Sequence, residues 1–166
     1  MPVPEVYVAA GSNVRPRTQL RRALAALAAN WPGLRISRAF ANSAFGFEGA
    51  DFINLAAGFA TDESPERVLE RLRAVEAACD RPRDAPKWAP RTLDLDLLLY
   101  GDLVGQLPGA TLPRPDLLRR AYMLGPLADI APDLCHPVAG ETIAALWQRF
   151  DRGAHPLHEV RLEEDD

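Results

Sequence analysis

The run RTLDLDLLLY, Arg91 to Tyr100, constrains the fold more than any other stretch of this 166-residue chain. Its leucines and tyrosine call for a buried β-strand, yet two aspartates stand inside it. Side chains alternate along a strand, so Asp94 and Asp96 share one face with Thr92, Leu98 and Tyr100. Leu93, Leu95, Leu97 and Leu99 take the other. Two carboxylates at this spacing sit about 7 Å apart, where like charge and partial burial both disfavour ionisation. The fold must compensate them, and arginine, water or a metal ion could each do so.

The rest of the chain supplies neighbours for that strand. VYVAA (Val6 to Ala10) reads as a short buried strand ending at the turn signal GSN. From Thr18 to Ala29, leucine and alanine recur at helical spacing between arginines, and Trp31-Pro32-Gly33 stops the helix. LRISRAFANS alternates as a second strand, FGFEGADF is a loop, and Phe52 to Thr61 forms a third strand. Ser64 caps the next helix, with Pro65 at its first position. The loop DRPRDAPKWAP leads into the aspartate strand. A proline-bounded loop, a short helix near Leu117 to Leu124 and a final helix capped by Thr142 follow. The acidic tail RLEEDD is expected to fray.

This order predicts an α+β fold, a ferredoxin-like β-α-β-β-α-β sandwich with additional C-terminal helices. Its sheet would carry helices on one face and leave the other free to bind. No repeat, linker or low-complexity segment interrupts the sequence, so one domain over residues 1–166 is expected.

Composition narrows the function classes. The chain is 48% hydrophobic and 25% charged, as in soluble globular proteins. A net charge of −4 argues against nucleic acid or an anionic membrane as partner. No stretch is apolar for long enough to span a bilayer, and the N-terminus lacks signal-peptide character, so a cytoplasmic protein is expected. Cys79 and Cys135 form no metal spacing with the histidines and no disulfide framework. Lys87 is the only lysine; arginine abundance in an alanine-rich chain could reflect base composition, so position must decide its meaning.

Position is informative around the aspartates. Alternate carboxylates on one strand face can hold a hard cation such as Mg²⁺, or can simply pair with arginines. Arg81, Arg83, Lys87 and Arg91 precede them in a proline-rich loop, and the guanidinium fork suits phosphate oxygens. Acids for a metal beside cations for phosphate are what a nucleotide-polyphosphate site requires. There is no P-loop, so any ATP site must be assembled from separate arginines and backbone. Trp88, Phe45, Phe47 and Phe52 are either local packing or stacking surface for a planar heterocycle. Asn54, inside an apolar strand, is either a satisfied structural amide or a reader of such a ring's edge. The histidines form no constellation.

Taken together, AAGSN, FIN, the R-x-R before W-x-P-R-T-L-D-L-D-L-L-L-Y-G, and RAYMLGPLADIAPD resemble the 6-hydroxymethyl-7,8-dihydropterin pyrophosphokinase family of folate biosynthesis. The match runs through nearly the whole chain in order. It implies pyrophosphate transfer from ATP to a reduced pterin, with two Mg²⁺ ions and no partner beyond these small molecules, in a monomer. Asp94 and Asp96 match the family's metal ligands, with Asp96 also catalytic. Arg81 and Arg91 match arginines assisting turnover. On the ATP side the resemblance implies Arg83, Trp88, Leu97, Thr111, Arg114 and Arg120. On the pterin side it implies Phe45, Phe52, Asn54, Trp88 and Tyr122.

The chain also departs from the family's pattern. Arg114 replaces a histidine that contacts ATP phosphate, and Arg73 stands where a glutamine near the nucleotide is familiar. Asn42 and Ser43 replace a proline-rich run beside the pterin pocket, and Tyr122 replaces a stacking phenylalanine while keeping a π-face. These changes leave open a non-catalytic pterin- or nucleotide-binding paralogue. An RNA-binding sheet is disfavoured by the two aspartates on its face.

Overall fold

The computed structural model describes residues 3–42, 51–79 and 93–166. In chain order its elements are β1 (Glu5–Ser12), α1 (Pro16–Asn30), β2 (Arg35–Ile36), β3 (Ala39–Asn42), β4 (Phe52–Ala60), α2 (Pro65–Cys79) and β5 (Asp94–Tyr100). A hairpin of β6 (Gly105–Leu107) and β7 (Ala110–Leu112), a 3-10 turn (Pro115–Leu118), α3 (Ala121–Ile130), α4 (Ile143–Gln148) and β8 (His158–Val160) complete it. The main sheet runs β5-β1-β4-β3-β8 with every pairing antiparallel, and β2 also pairs with β4. This is an α+β architecture built on an antiparallel sheet.

Alternation in the apolar strands creates two cores. Val6, Val8 and Leu55 point to one side and meet Leu20 and Leu27 of α1 and Leu72 of α2. There Trp31, the residue that ends α1, stacks on Phe59 with ring centroids 4.1 Å apart. On the other side Tyr7, Ala9 and Ala56 meet Met123, Leu124 and Leu127 of α3, with Ile143 of α4 behind them. The face expected to stay free is therefore covered over much of its extent, because the C-terminal helices carry apolar faces that need burial. Its open end holds the half-buried Asp94 and Asp96.

The aspartate strand contains an irregularity that simple alternation does not anticipate. Tyr7 of β1 faces Leu99 and the next residue, Val8, faces Leu97, so Leu98 has no opposite number. This bulge reverses the side chains beyond it. Leu93, Leu95 and Leu97 enter the helix-side core as expected, but Leu99 joins Leu98 on the α3 side and Tyr100 turns back to the helix side.

Caps place the helices. Ser64 Oγ accepts from Arg67 N–H at 3.2 Å, and Thr142 Oγ1 accepts from Ala145 N–H at 3.1 Å, both as the sequence suggests. The expected second strand divides into β2 and β3 at Ser37, whose N–H donates to the Ala56 carbonyl while its hydroxyl accepts from Ala56 N–H. The expected Leu117–Leu124 helix becomes a 3-10 turn followed by α3, which continues through Pro126. Burial of Met123, Leu124 and Leu127 offsets the hydrogen bond that proline cannot donate.

The C-terminal tail is tied down rather than frayed. Arg15, at the start of α1, offers no side-chain cap. Instead the Asp166 carboxylate accepts from the N–H groups of Arg17 and Thr18 at 2.6 and 2.9 Å. Arg17 Nε donates to the Arg161 carbonyl, and Arg21 to the carbonyls of Leu162 and Glu164. Among the described residues, no helix is long and apolar enough to cross a membrane.

Candidate active site

Sheet register assembles the site. Gly11 of β1 lies between Asn54 of β4 and Asp94 of β5, and Ala9 lies between Ala56 and Asp96. With two-residue alternation, Asn54, Asp94 and Asp96 all project from the α3 face. The residues between them carry almost no side chain, which leaves room above the strands. A β-carbon at Gly11 would collide with Asn54 Oδ1, so glycine there is a steric requirement of the asparagine beside it.

Both aspartates are half-buried, and arginine supplies part of the compensation of Asp96. Arg114 Nη1 stands 3.6 Å from Asp96 Oδ1, and Nη2 stands 3.6 Å from Asp116 Oδ2. Neither is a close pair, and Arg114 Nε is buried without a hydrogen-bond partner among the described residues. This guanidinium is held near two carboxylates while retaining donor capacity for another anion. The bulge helps to place it: Arg114 N–H donates to the carbonyl of Leu98 at 2.9 Å, docking the segment after β7 against β5.

A cavity of about 580 Å³ opens beside this arginine, with Thr111 and Arg114 in its wall together with Gln106, Asp116 and Arg119. Tyr122, near the start of α3, looks toward the same cluster. Burial holds its hydroxyl pKa above the ordinary value, with Arg120 and Arg114 pulling it down and Asp116 and Asp96 adding to the rise. Phe52, half-buried on β4, pairs in register with Asn42 of β3. Asn54 is 6% exposed and donates its Nδ2 hydrogen to Asn42 Oδ1.

Leu97 is placed differently from the other described candidates. Its side chain is buried in the helix-side core, opposite Asp96, so it can offer a nucleotide only backbone. Arg73 is also committed elsewhere. It donates to Glu76 and, at 2.8 Å, to the Leu95 carbonyl, while Glu76 accepts from Leu95 N–H at 2.7 Å. Since β5 lies at the sheet's edge, this pair completes the hydrogen bonding of the residue between the two aspartates. The i, i+3 spacing of Arg73 and Glu76 was visible in the sequence, but their target on a distant strand was not. Phe45, Arg81, Arg83, Lys87, Trp88 and Arg91 lie outside the described residues.

The donor set suits a hard cation. Among the described residues no group of three or more His, Cys, Asp or Glu side chains could enclose a metal. Two carboxylates on an open strand face instead match an ion that takes its other ligands from water and substrate phosphate, as Mg²⁺ does.

The model of the 7,8-dihydro-6-hydroxymethylpterin-pyrophosphokinase (HPPK) family matches residues 7–132. The chain is 39% identical over 147 residues to the 2-amino-4-hydroxy-6-hydroxymethyldihydropteridine pyrophosphokinase of Synechocystis sp., covering 87% of this chain and 75% of that protein. It is 39% identical over 140 residues to the Pseudomonas aeruginosa protein of the same name, covering 81% and 85%. A crystal structure of HPPK-DHPS in complex with substrates superposes with a TM-score of 0.71 at 13% identity over 93% of this chain. That likeness bears on fold, and the chain spans 44% of the solved chain's length. With its family model matched from the first strand to beyond α3, the chain belongs to the 7,8-dihydro-6-hydroxymethylpterin-pyrophosphokinase family.

Proposed function

We propose that this chain transfers pyrophosphate from ATP to the hydroxymethyl group of 6-hydroxymethyl-7,8-dihydropterin, giving AMP and the pterin pyrophosphate, in folate biosynthesis. The observation that carries the reading is the row Asn54–Gly11–Asp94 across three strands, with Asp96 and Arg114 adjoining it. A ring-edge amide and a carboxylate pair thus share one sheet face. The strand order β5-β1-β4-β3 also supports the ferredoxin-like description, the fourth long strand pairing with the first. A single domain acting as a cytoplasmic monomer is part of the same proposal.

The reaction forms a bond from the hydroxymethyl oxygen to the β-phosphorus of ATP, releases the hydroxyl proton, and breaks that phosphorus's bond to the oxygen leading to the α-phosphate, so that AMP is the leaving group. Asp94 and Asp96 would hold the two Mg²⁺ ions, which supply charge neutralisation and Lewis acidity at the phosphates when bound. Arg114, with Arg120 and the proline-rich loop's Arg81, Arg83 and Arg91, binds phosphate oxygens and holds the chain of phosphoryl groups in line. Thr111 and the backbone of Leu97 orient the nucleoside. Asn54 reads the edge of the pterin, while Tyr122 and Phe52 or Phe45 provide its stacking surfaces. Trp88 and its loop exclude water that would otherwise hydrolyse ATP.

Asp96→Ala tests the reading. Its ion pair is loose, so thermal stability should change by less than about 1 kcal/mol, while pterin-dependent turnover falls at least roughly hundredfold. Near-normal turnover in this variant would remove Asp96 from the mechanism.

A further inference from the structure

The hydrogen bond between Asn54 and Asn42 joins the amide read above as the pterin contact to the last residue of β3. Asn42 closes β3 opposite Phe52, two pairs beyond the Phe40–Asn54 pair, so its side chain lies on the same sheet face as Asn54. Nδ2 of Asn54 points toward β3 and donates to Asn42 Oδ1, while Oδ1 of Asn54 fills the space above Gly11. One end of the amide is thus held by β3, and the other is accommodated over β1.

We infer that Asn42 is a positioning residue that fixes which way the Asn54 amide faces the pterin. An asparagine side chain presents a donor at one end and an acceptor at the other, and a half-turn about its last torsion exchanges them. In the wrong orientation a ring edge meets donor against donor, and the site loses a hydrogen bond while burying an unpaired group. Asn42 Oδ1 chooses between the two orientations before substrate arrives, so binding does not have to order the amide. The other Nδ2 hydrogen and the remaining Oδ1 lone pair are left for the ligand. Gly11 and Asn42 are then two halves of one device, the first making space and the second setting direction.

This inference rests on the pyrophosphokinase reading, and the test separates the two. Steady-state kinetics at saturating ATP and Mg²⁺ compare wild type, Asn42→Leu and Asn42→Asp. Leucine preserves size without an acceptor, whereas aspartate can only accept. The expected result is a KM for 6-hydroxymethyl-7,8-dihydropterin raised roughly five- to tenfold in Asn42→Leu. Its kcat and KM for ATP should stay within about twofold of wild type, and Asn42→Asp should restore the wild-type pterin KM. In ¹⁵N spectra of the free proteins, the Asn54 side-chain amide should be well dispersed in wild type and Asn42→Asp and averaged in Asn42→Leu. An unchanged pterin KM in Asn42→Leu, or an Asn42→Asp variant as impaired as the leucine one, overturns the inference while leaving the activity intact. Wild type that makes no AMP with both substrates defeats the underlying reading instead, and the ¹⁵N comparison still decides whether Asn42 orients the amide.

Discussion

Gly11 and Asn54 stand opposite each other in the antiparallel register of β1 and β4, and the side-chain oxygen of Asn54 occupies the space a β-carbon at residue 11 would need. Gly11→Ala should therefore cost about 1–3 kcal/mol through overpacking and displace the amide from the ring edge. The double variant Gly11→Ala/Asn54→Ala removes the colliding group. In urea titrations, alanine at residue 11 should cost much less in an Asn54→Ala background than alone, and a purely additive pair would refute the steric coupling.

The Arg73–Glu76 pair should matter to stability and to the aspartates together. Glu76 is 8% exposed and accepts the N–H of Leu95. Glu76→Ala leaves that buried donor unsatisfied, at a cost of about 1–3 kcal/mol, while Glu76→Gln keeps an acceptor. The expected order of melting temperature is wild type, then glutamine, then alanine. If the alanine variant melts with wild type, the edge of β5 is held by something else.

Much of the fold was legible in the sequence because local chemistry states it directly: the Ser64 and Thr142 caps, the Trp31 stop, and the apolar runs of β1, β4 and β5. What escaped depends on pairing between distant residues. The bulge at Leu98 exists only relative to β1, since three consecutive leucines, Leu97 to Leu99, do not say which face each one takes. Asp166 reads as one more acid in a solvated tail until α1 presents its N–H groups. Likewise Asn54 and the aspartates announce a polar site, whereas the roles of Gly11 and Asn42 follow from which strand lies beside which.

His136 predicts a pH dependence. It is 2% exposed, its Nδ1 accepts from the N–H groups of Val138 and Ala139, and burial pushes its pKa down. Above the unfolded value of about 6.5 both states are neutral and no penalty arises. Below it the unfolded chain takes a proton that the folded chain refuses, so stability falls by at most about 1.4 kcal/mol per pH unit until the lowered folded value is reached. The His136→Asn variant keeps a side-chain acceptor for the turn but has nothing there to titrate. Chemical denaturation at pH 7.5 and 5.5 should show a smaller loss in the variant; equal losses would assign the dependence to other groups.

Asp166 acts in the opposite sense. Burial pushes its carboxyl up, but hydrogen bonds from Thr18 and Arg17 and the charge of Arg17 outweigh that and hold it below its ordinary value. Its contribution is present above the unfolded pKa and is lost as pH falls through the lowered folded one. Because the group is exposed, Asp166→Ala should cost only about 0.5–1 kcal/mol at pH 7. Urea midpoints should differ at pH 7 and draw together in acid as the pH falls through the lowered folded value, and a difference that stays constant down the acid series would exclude capping by the carboxylate.

The most direct test of the central claim is AMP release from ATP and Mg²⁺, measured with and without 6-hydroxymethyl-7,8-dihydropterin and with the pterin product weighed by mass spectrometry. The account predicts AMP that depends on the pterin, with one pyrophosphorylated pterin for each AMP. Folded protein that receives both substrates and yields no AMP, with the pterin recovered unchanged, would contradict it.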